Sequence, residues 1–257
     1  MRILAIGDVV GKSGTEFLRV KLNEIKKEKD IDFVIANGEN SAEGNGITPL
    51  SANHMLKSGV DVITSGNHVF RRREIFSFLN ENNMVIRPYN FPNKTTPGVG
   101  IYKTEVKGVK IAIINILGVV YLEPLNSPFE AIDNALEVCS DCKIKIIDFH
   151  AEATAEKRAM GYYVDGKVSA VFGTHTHVQT SDEQVLPFGT GYITDVGMTG
   201  VIHSVLGVKK EISIKRMKEK LPIRFQNAEG NCKIECIIFD IDESNGKTLK
   251  VERMRVI

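Results

Sequence analysis

Five short apolar runs, rich in β-branched residues and each ending on a group that can ligate a metal, constrain this chain more than any other feature. Ile3, Leu4, Ala5 and Ile6 lead into Gly7 and Asp8; Phe33, Val34, Ile35, Ala36 and Asn37 lead into Gly38, Glu39 and Asn40. Residues 60–65 lead into Gly66, Asn67 and His68, residues 144–149 end at His150, and residues 168–172 run into Gly173, Thr174, His175, Thr176 and His177. Uninterrupted apolar runs of this length mark strands buried on both faces. In open α/β sheets, ligands bind outside the carboxyl ends of the strands. Asp8, Glu39, Asn40, Asn67, His68, His150, His175 and His177 are therefore predicted to converge on one site. A single Asp after a strand is normally a turn residue or a helix cap. Repetition at five junctions, with imidazole as the commonest side-chain ligand for transition metals, points to a metal centre instead.

The segments between these runs carry helical periodicity, which makes the class α/β. Residues 15–30 place Phe17, Leu18, Leu22 and Ile25 on one face, opposite lysines and glutamates. Thr48 and Pro49 open a helix through Lys57, with Gly59 at its end. A third helix is predicted over 71–80, with Ile75, Phe76 and Leu79 inward, and a fourth over 128–140. Prolines and asparagines make 88–98 a loop. Strands are expected at 100–106 and 109–117, turning at Lys107 and Gly108, and the tail reads as a hairpin of 231–241 with 247–257 around Asn245 and Gly246. With no internal repeat, the expectation is one domain spanning 1–257.

A net charge of +1 gives no whole-protein attraction to nucleic acid or to an anionic membrane. The absence of Trp and of an aromatic RNA-binding signature argues against a dedicated RNA binder. No apolar run approaches bilayer length, and the amino terminus reads as a strand rather than a leader, so a cytoplasmic location is expected. Cys139 and Cys142 have CxxC spacing and Cys232 and Cys236 lie four apart, but no glycine knuckle supports a shared zinc site, and reduced thiols are the expectation. Gly7 to Ser13 superficially suggests a nucleotide-hydrolase P-loop. Only three residues separate its glycines where four are required, and the histidines would go unexplained.

Other residues carry weaker signals. Gly44, Asn45, Gly46 and Ile47 form a loop after Glu39; Arg71, Arg72 and Arg73 lie near enough to His68 for one to meet a substrate phosphate, or are simply solvated on a helix face. Thr154, Glu156 and Lys157 read as capping and decorating a helix after His150. Tyr162 and Tyr163 suit base stacking or, more simply, packing. His54 reads as structural, and His203 as a residue beside the pocket with no motif behind it.

In their order, Gly-Asp, Gly-Glu-Asn, Gly-Asn-His, an isolated His and Gly-Thr-His-Thr-His, these motifs resemble the calcineurin-like metallophosphoesterase superfamily. Segments 7–14, 38–46, 66–68, 150–157 and 173–178 resemble more closely the YmdB-like family of 2',3'-cyclic-nucleotide 2'-phosphodiesterases. The resemblance implies a four-layer α/β/β/α sandwich with two mixed sheets. It also implies a first metal held by Asp8, Asn40 and His177, a second held by Asn67, His150 and His175, Glu39 bridging both, and His68 as proton donor. Two departures from the superfamily pattern stand out. Asp8 is followed by Val9 and Val10 where Asp-x-His is usual, and Glu39 stands where a bridging Asp is usual, with Asn40 beside it to fill the vacancy left by the missing histidine.

Physical argument runs alongside. Two cations about 3.5–4 Å apart can activate a water and clamp both attacking and leaving oxygens of an in-line displacement at phosphorus. The mixed N and O donors, without thiolate, suit iron, manganese or zinc, as two divalent or trivalent ions. The expected partner is a small cyclic nucleotide or other phosphodiester, with homo-oligomerisation left open. Cleavage at the 2' bond to give 3'-phosphates is what the resemblance implies; the residues themselves imply only phosphoester hydrolysis. The alternative class is a non-catalytic regulatory or RNA-binding protein that keeps a metal-stabilised fold.

Overall fold

The computed structural model describes residues 1–92 and 95–257, so the loop expected at 88–98 lies partly outside the described residues. In chain order the elements are β1 (Arg2–Ile6), β2 (Asp8–Val9), α1 (Gly11–Glu28), β3 (Phe33–Asn37), α2 (Pro49–Lys57), β4 (Val62–Thr64) and α3 (Ile75–Glu81). There follow β5 (Ile101–Val106), β6 (Val109–Leu117), α4 (Pro128–Val138), β7 (Ile144–His150), α5 (Thr154–Tyr163) and β8 (Ala170–Thr174). The last are β9 (Gln184–Val185), β10 (Gly191–Ile193), β11 (Met198–Val201), α6 (Lys210–Glu219), β12 (Cys232–Ile241) and β13 (Thr248–Val256).

Both sheets are mixed. The first runs β2-β11-β12-β1-β3-β4, with β13 also paired to β12; the second runs β5-β6-β7-β8-β10-β9. β1, β3 and β4 are mutually parallel, as are β6, β7, β8 and β10, whereas β12 lies antiparallel to β1. The carboxyl ends of the parallel strands therefore share one end of each sheet.

Alternation along the strands generates the layers. Ile3 and Ala5 of β1, with Phe33 and Ile35 of β3, meet Ile111, Ile113, Ile144, Ile146 and Phe172 between the sheets. Their neighbours Leu4, Ile6, Val34 and Ala36 face the other way, onto Leu18, Leu22, Met55 and Leu79 of the first three helices. On the opposite flank, Ile114, Ile147, Phe149 and Val171 pack against Ile132 and Ala135 of α4 and Met160 of α5. The result is the α/β/β/α sandwich. It explains why the strands read as continuous apolar runs: each alternate side chain has a buried layer to fill, and burial is worth roughly 1.5–3 kcal/mol for each large aliphatic. Among the described residues no helix is long and apolar enough to cross a membrane.

Several boundaries depart from the periodicity, each for a local reason. α1 starts at Gly11 rather than residue 15, because Gly11 takes φ +60 and its N–H reaches Asn40 O at 2.9 Å, turning the chain straight from β2 into the helix. Residues 71–73 are not helical: the Arg71 N–H donates to His68 O at 3.0 Å, and the Arg72 side chain is drawn to Asn45 O at 3.1 Å and to Glu43 O. α4 ends at Val138, short of residue 140. The hairpin turn at Lys107 (φ 50) and Gly108 (φ 79) is as expected. Short strands β9 to β11 and the polar helix α6 went unpredicted, since too few apolar positions recur in them to set a period.

Candidate metal centre

Seven of the eight predicted site residues present polar side-chain atoms to one another at the carboxyl ends of β1, β3, β4, β7 and β8, and His68 adjoins them. His150 Nε2, at the end of β7, lies 3.0 Å from His175 Nδ1, 3.2 Å from Asn67 Oδ1 and 3.3 Å from Glu39 Oε1. A second group gathers around Asp8: its Oδ1 is 3.5 Å from His177 Nε2, which is in turn 3.3 Å from Asn40 Nδ2. Glu39 belongs to both groups, because Asn40 Nδ2 donates to its Oε1 at 3.0 Å. His68 adds its backbone N–H to Glu39 Oε2 at 3.0 Å and sets Nδ1 3.2 Å from both Glu39 Oε1 and Asn40 Oδ1. Asp8, Glu39 and His150 are wholly buried.

Close approach here depends on one glycine. A Cβ on Gly66 would fall 2.3 Å from the His150 ring and 2.4 Å from Glu39 Oε2, so only Gly lets β4 end against the cluster.

Electrostatics make the cluster a competitor for cations. Burial alone would raise the Asp8 carboxyl, but His177 facing it outweighs that and holds it below the ordinary value. Burial likewise opposes ionisation of Glu39, yet His150 and His68 beside it bring it well below the carboxylate range. Burial disfavours a charged His150, but Glu39 and Asp8 raise it; burial and the facing His150 push His175 down. Protons and imidazoles thus offset two buried carboxylates, the role a bound cation takes over.

The donor set fits a metal. Asp8 Oδ1 is buried with no hydrogen-bond partner among the described residues, an arrangement costly for a carboxylate unless a cation completes it. Among the described residues, the ligand atoms of Glu39, His150 and His175 all lie within 4.8 Å of one another.

The loop carrying the two histidines is strained and clamped. His175 and His177 have φ of 98 and 63, a region that non-glycine residues rarely adopt, and surrounding contacts must hold them there. Asp195 Oδ2 accepts from Thr176 N at 3.1 Å, Thr176 Oγ1 at 2.8 Å and Lys157 Nζ at 2.7 Å, while Lys157 also donates to Thr174 O at 2.8 Å. Both members of this ion pair are 1% exposed. Lys157 therefore does not decorate α5. Its neighbour Glu156, also buried, accepts from Val119 N at 2.9 Å, and α5 has no side-chain cap. Lys157→Met is expected to destabilise the fold by about 3–5 kcal/mol, because Asp195 stays buried without its counter-charge. That corresponds to a fall in Tm of roughly 10 °C in thermal unfolding. A loss below ~1 kcal/mol would show that the pair is dispensable to the loop.

A second polar network lies beneath His150. Asp148 accepts from Asn37 Nδ2 at 3.1 Å, from Thr174 Oγ1 at 2.6 Å and from Thr64 Oγ1. His150 Nδ1 sits 2.8 Å from that same Thr174 hydroxyl, which fixes the ring so that Nε2 points into the cluster. Burial pushes the Asp148 carboxyl up to about 6. The signal that would have found these residues is visible in the sequence: Asn37 and Asp148 are polar interruptions inside otherwise apolar runs.

The cluster opens into a cleft of about 820 Å³ lined by Glu39, Asn40, His68, His175 and His177 on one side and by Arg216, Met217, Lys220 and Phe225 on the other. The last four escaped the sequence reading. Glu152 lines the cleft as well, its Oε2 2.9 Å from His175 Nε2. Other candidates lie elsewhere. Arg71 and Arg73 are exposed outside the cleft, and Lys12 of the short glycine motif does not line it. Tyr163 packs edge-on against Phe129 and donates to Asp133 at 2.6 Å, while Tyr162 accepts from Arg158. His54 faces Glu16 at 3.5 Å, and His203 is exposed and not part of the lining. All four cysteines are free and buried; Cys139 and Cys142 pack under α4, apart from Cys232 and Cys236, so the two pairs form no joint site.

Comparison with known proteins finds relatives that match the whole chain. The chain is 46% identical over 257 residues to a 2',3'-cyclic-nucleotide 2'-phosphodiesterase of Bacillus subtilis, covering 100% of this chain and 97% of that protein. A crystal structure of a hypothetical protein from Thermus thermophilus superposes with a TM-score of 0.94 at 38% identity, covering 100% of this chain and 99% of the other. One described as a novel phosphatase, from Mycoplasma pneumoniae, superposes with a TM-score of 0.93 at 33% identity, covering 100% and 93%. The sequence signature described as YmdB-like protein matches residues 4–254, and the chain belongs to that family.

Proposed function

We propose that this protein is a metal-dependent phosphodiesterase that opens 2',3'-cyclic nucleotides at the 2' bond to release 3'-phosphates, with the whole chain acting as one catalytic domain. The observation that carries the reading is the convergence of Asp8, Glu39, Asn40, Asn67, His150, His175 and His177 in one cluster, of which Glu39, Asn40, His175 and His177 line the cleft, with Asp8 Oδ1 lacking a hydrogen-bond partner among the described residues. The substrate rests on the Bacillus subtilis relative's name and on the family resemblance.

Asp8, Asn40 and His177 would hold one transition-metal ion, Asn67, His150 and His175 a second, and Glu39 both. Bound there, such a pair supplies an activated water and neutralises charge at phosphorus. Asn67 already turns Oδ1 toward His150, whereas Asn40 presents Nδ2 to Glu39 and His177, so its amide must rotate for the carbonyl to serve as a ligand. His68 would give a proton to the leaving 2' oxygen. Its Nδ1 is held by Glu39 and Asn40, the ring borders the cleft, and Nε2 has no hydrogen-bond partner among the described residues.

A panel of cyclic nucleotides, linear diesters and monoesters, assayed with iron, manganese or zinc and followed by product chromatography, tests the proposal. Hydrolysis of 2',3'-cyclic nucleotides to 3'-phosphates is the expected outcome. Exclusive formation of 2'-phosphates would overturn the bond assignment, and no turnover of any diester with any of the metals would overturn the activity.

A further inference from the structure

The wall of the cleft opposite the candidate metal centre is an excursion of the chain with little other reason to be folded as it is. Residues 210–226 leave and rejoin the body at a narrow root: Val208 bridges Asn227, the Lys209 N–H donates to Gln226 O at 3.0 Å, and Ala228 N to Gly207 O at 2.8 Å. Within α6 only Ser213 is buried, so this helix contributes almost nothing to either core. Ser213, Arg216, Met217 and Lys220 nevertheless line the cleft together. Their spacing of i, i+3, i+4 and i+7 puts them on one helical face. After Lys220 takes φ 59 at the C-cap, the chain folds back and adds Leu221, Pro222 and Phe225 to the same wall.

This wall combines exposed large apolar side chains with cationic groups. Met217 is 66% exposed, Leu221 56% and Phe225 38%, and a cluster of this kind at a cleft marks a binding surface. The Arg216 guanidinium lies 4.3 Å from the Phe225 ring centroid, a stacked arrangement that holds a planar cation against an aromatic face. At the root, Leu206 O is 3.1 Å from His177 Nδ1, so the wall is continuous with the cluster. The carboxylates lining the cleft, Glu39 and Glu152, lie on the cluster side, which leaves Arg216 and Lys220 as a cationic region facing them.

Resting on the phosphodiesterase reading above, we infer that Arg216, Met217, Lys220 and Phe225 form the subsite for the nucleoside part of the substrate. The base stacks on the Phe225–Arg216 pair, with Met217 and Lys220 beside it on the same wall. Bases are held in this way on aromatic rings and guanidinium planes, without sequence readout. A diester without a base reaches only the candidate metal centre and gains nothing from this wall.

Full-length metal-reconstituted protein and its Phe225→Ala and Arg216→Ala variants test this with two probe pairs. In turnover, 2',3'-cyclic AMP is compared with the methyl riboside 2',3'-cyclic phosphate; in calorimetric binding, 3'-AMP is compared with ribose 5-phosphate. Each variant is expected to lose about tenfold in kcat/KM for cyclic AMP and in affinity for 3'-AMP, the scale of one stacked base, with the baseless partners changed less than about twofold. Equal losses on both members of a pair, or no loss on either, would overturn the subsite. If 3'-AMP binding depends on Phe225 while cyclic AMP is not hydrolysed, the subsite stands and the proposed reaction fails. If cyclic AMP is hydrolysed equally well by all three proteins, the reaction stands and the subsite fails.

Discussion

Exchanging Glu39 for glutamine is expected to remove both bound metal and activity together. Elemental analysis of the unaltered protein after reconstitution should approach about two transition-metal ions per chain, the number a bridged centre holds. Glu39→Gln and His175→Ala should each retain fewer than about one, because each removes a donor that the remaining groups cannot replace. Hydrolysis then falls to background for every phosphoester, whatever its leaving group. Thermal unfolding supplies a check independent of turnover. A metal at ~1,000 times its dissociation constant stabilises the folded state by about 4 kcal/mol, so adding metal should raise the Tm of the unaltered protein and barely move that of Glu39→Gln. Both variants should still fold, since Glu39 and His175 fill no part of the hydrophobic clusters. Full metal occupancy in Glu39→Gln, or metal-independent turnover by the unaltered enzyme, would refute the assignment.

His68→Ala is expected to behave differently. Because His68 contacts Glu39 and Asn40 without belonging to the proposed ligand set, metal content should remain near that of the unaltered protein. The rate on 2',3'-cyclic nucleotides should fall about 10²- to 10⁴-fold, the usual contribution of a positioned acid. For bis(p-nitrophenyl) phosphate the loss should shrink markedly, since p-nitrophenolate leaves without needing a proton. A competing role for His68 is to orient Glu39 and Asn40 through Nδ1. That role predicts the same loss for good and poor leaving groups. Measuring both substrates under conditions where chemistry limits the rate separates the two.

The legible part of this protein follows from how parallel strands are buried. Runs such as 3–6 and 33–36 had to be continuous and apolar because the second sheet lies on one face and helices on the other. Polar residues at their carboxyl ends could then be read as one cluster, since parallel strands bring like ends together. Asp8, Glu39, Asn67, His150 and His175 were found in this way. The helix α2 was equally local: Thr48 caps it through Ser51 N at 3.1 Å, and Pro49 occupies its first turn.

Where local signals gave out, contacts between distant residues had decided the outcome. His175 N donates to Asp8 Oδ2 across 167 residues, and Asn37 Nδ2 donates to Asp148 Oδ2 across 111. Lys157 looked like a solvated helix residue until the fold placed Asp195 2.7 Å away and buried both. Of the two readings open for Arg71 and Arg73, the fold gives the solvated one, while Arg216 and Phe225 complete the cleft from an excursion whose helix is largely polar. The sequence by itself determined the class of fold and which polar residues gather at the strand ends, because burial on two faces and the polar strand endings are written in consecutive residues. Only the tertiary structure decided which nitrogen of each imidazole faces inward, how the strained histidine loop is held, and what forms the opposite wall. Each of these rests on a pairing of groups far apart in the chain, and hydrophobic periodicity carries no record of such pairings.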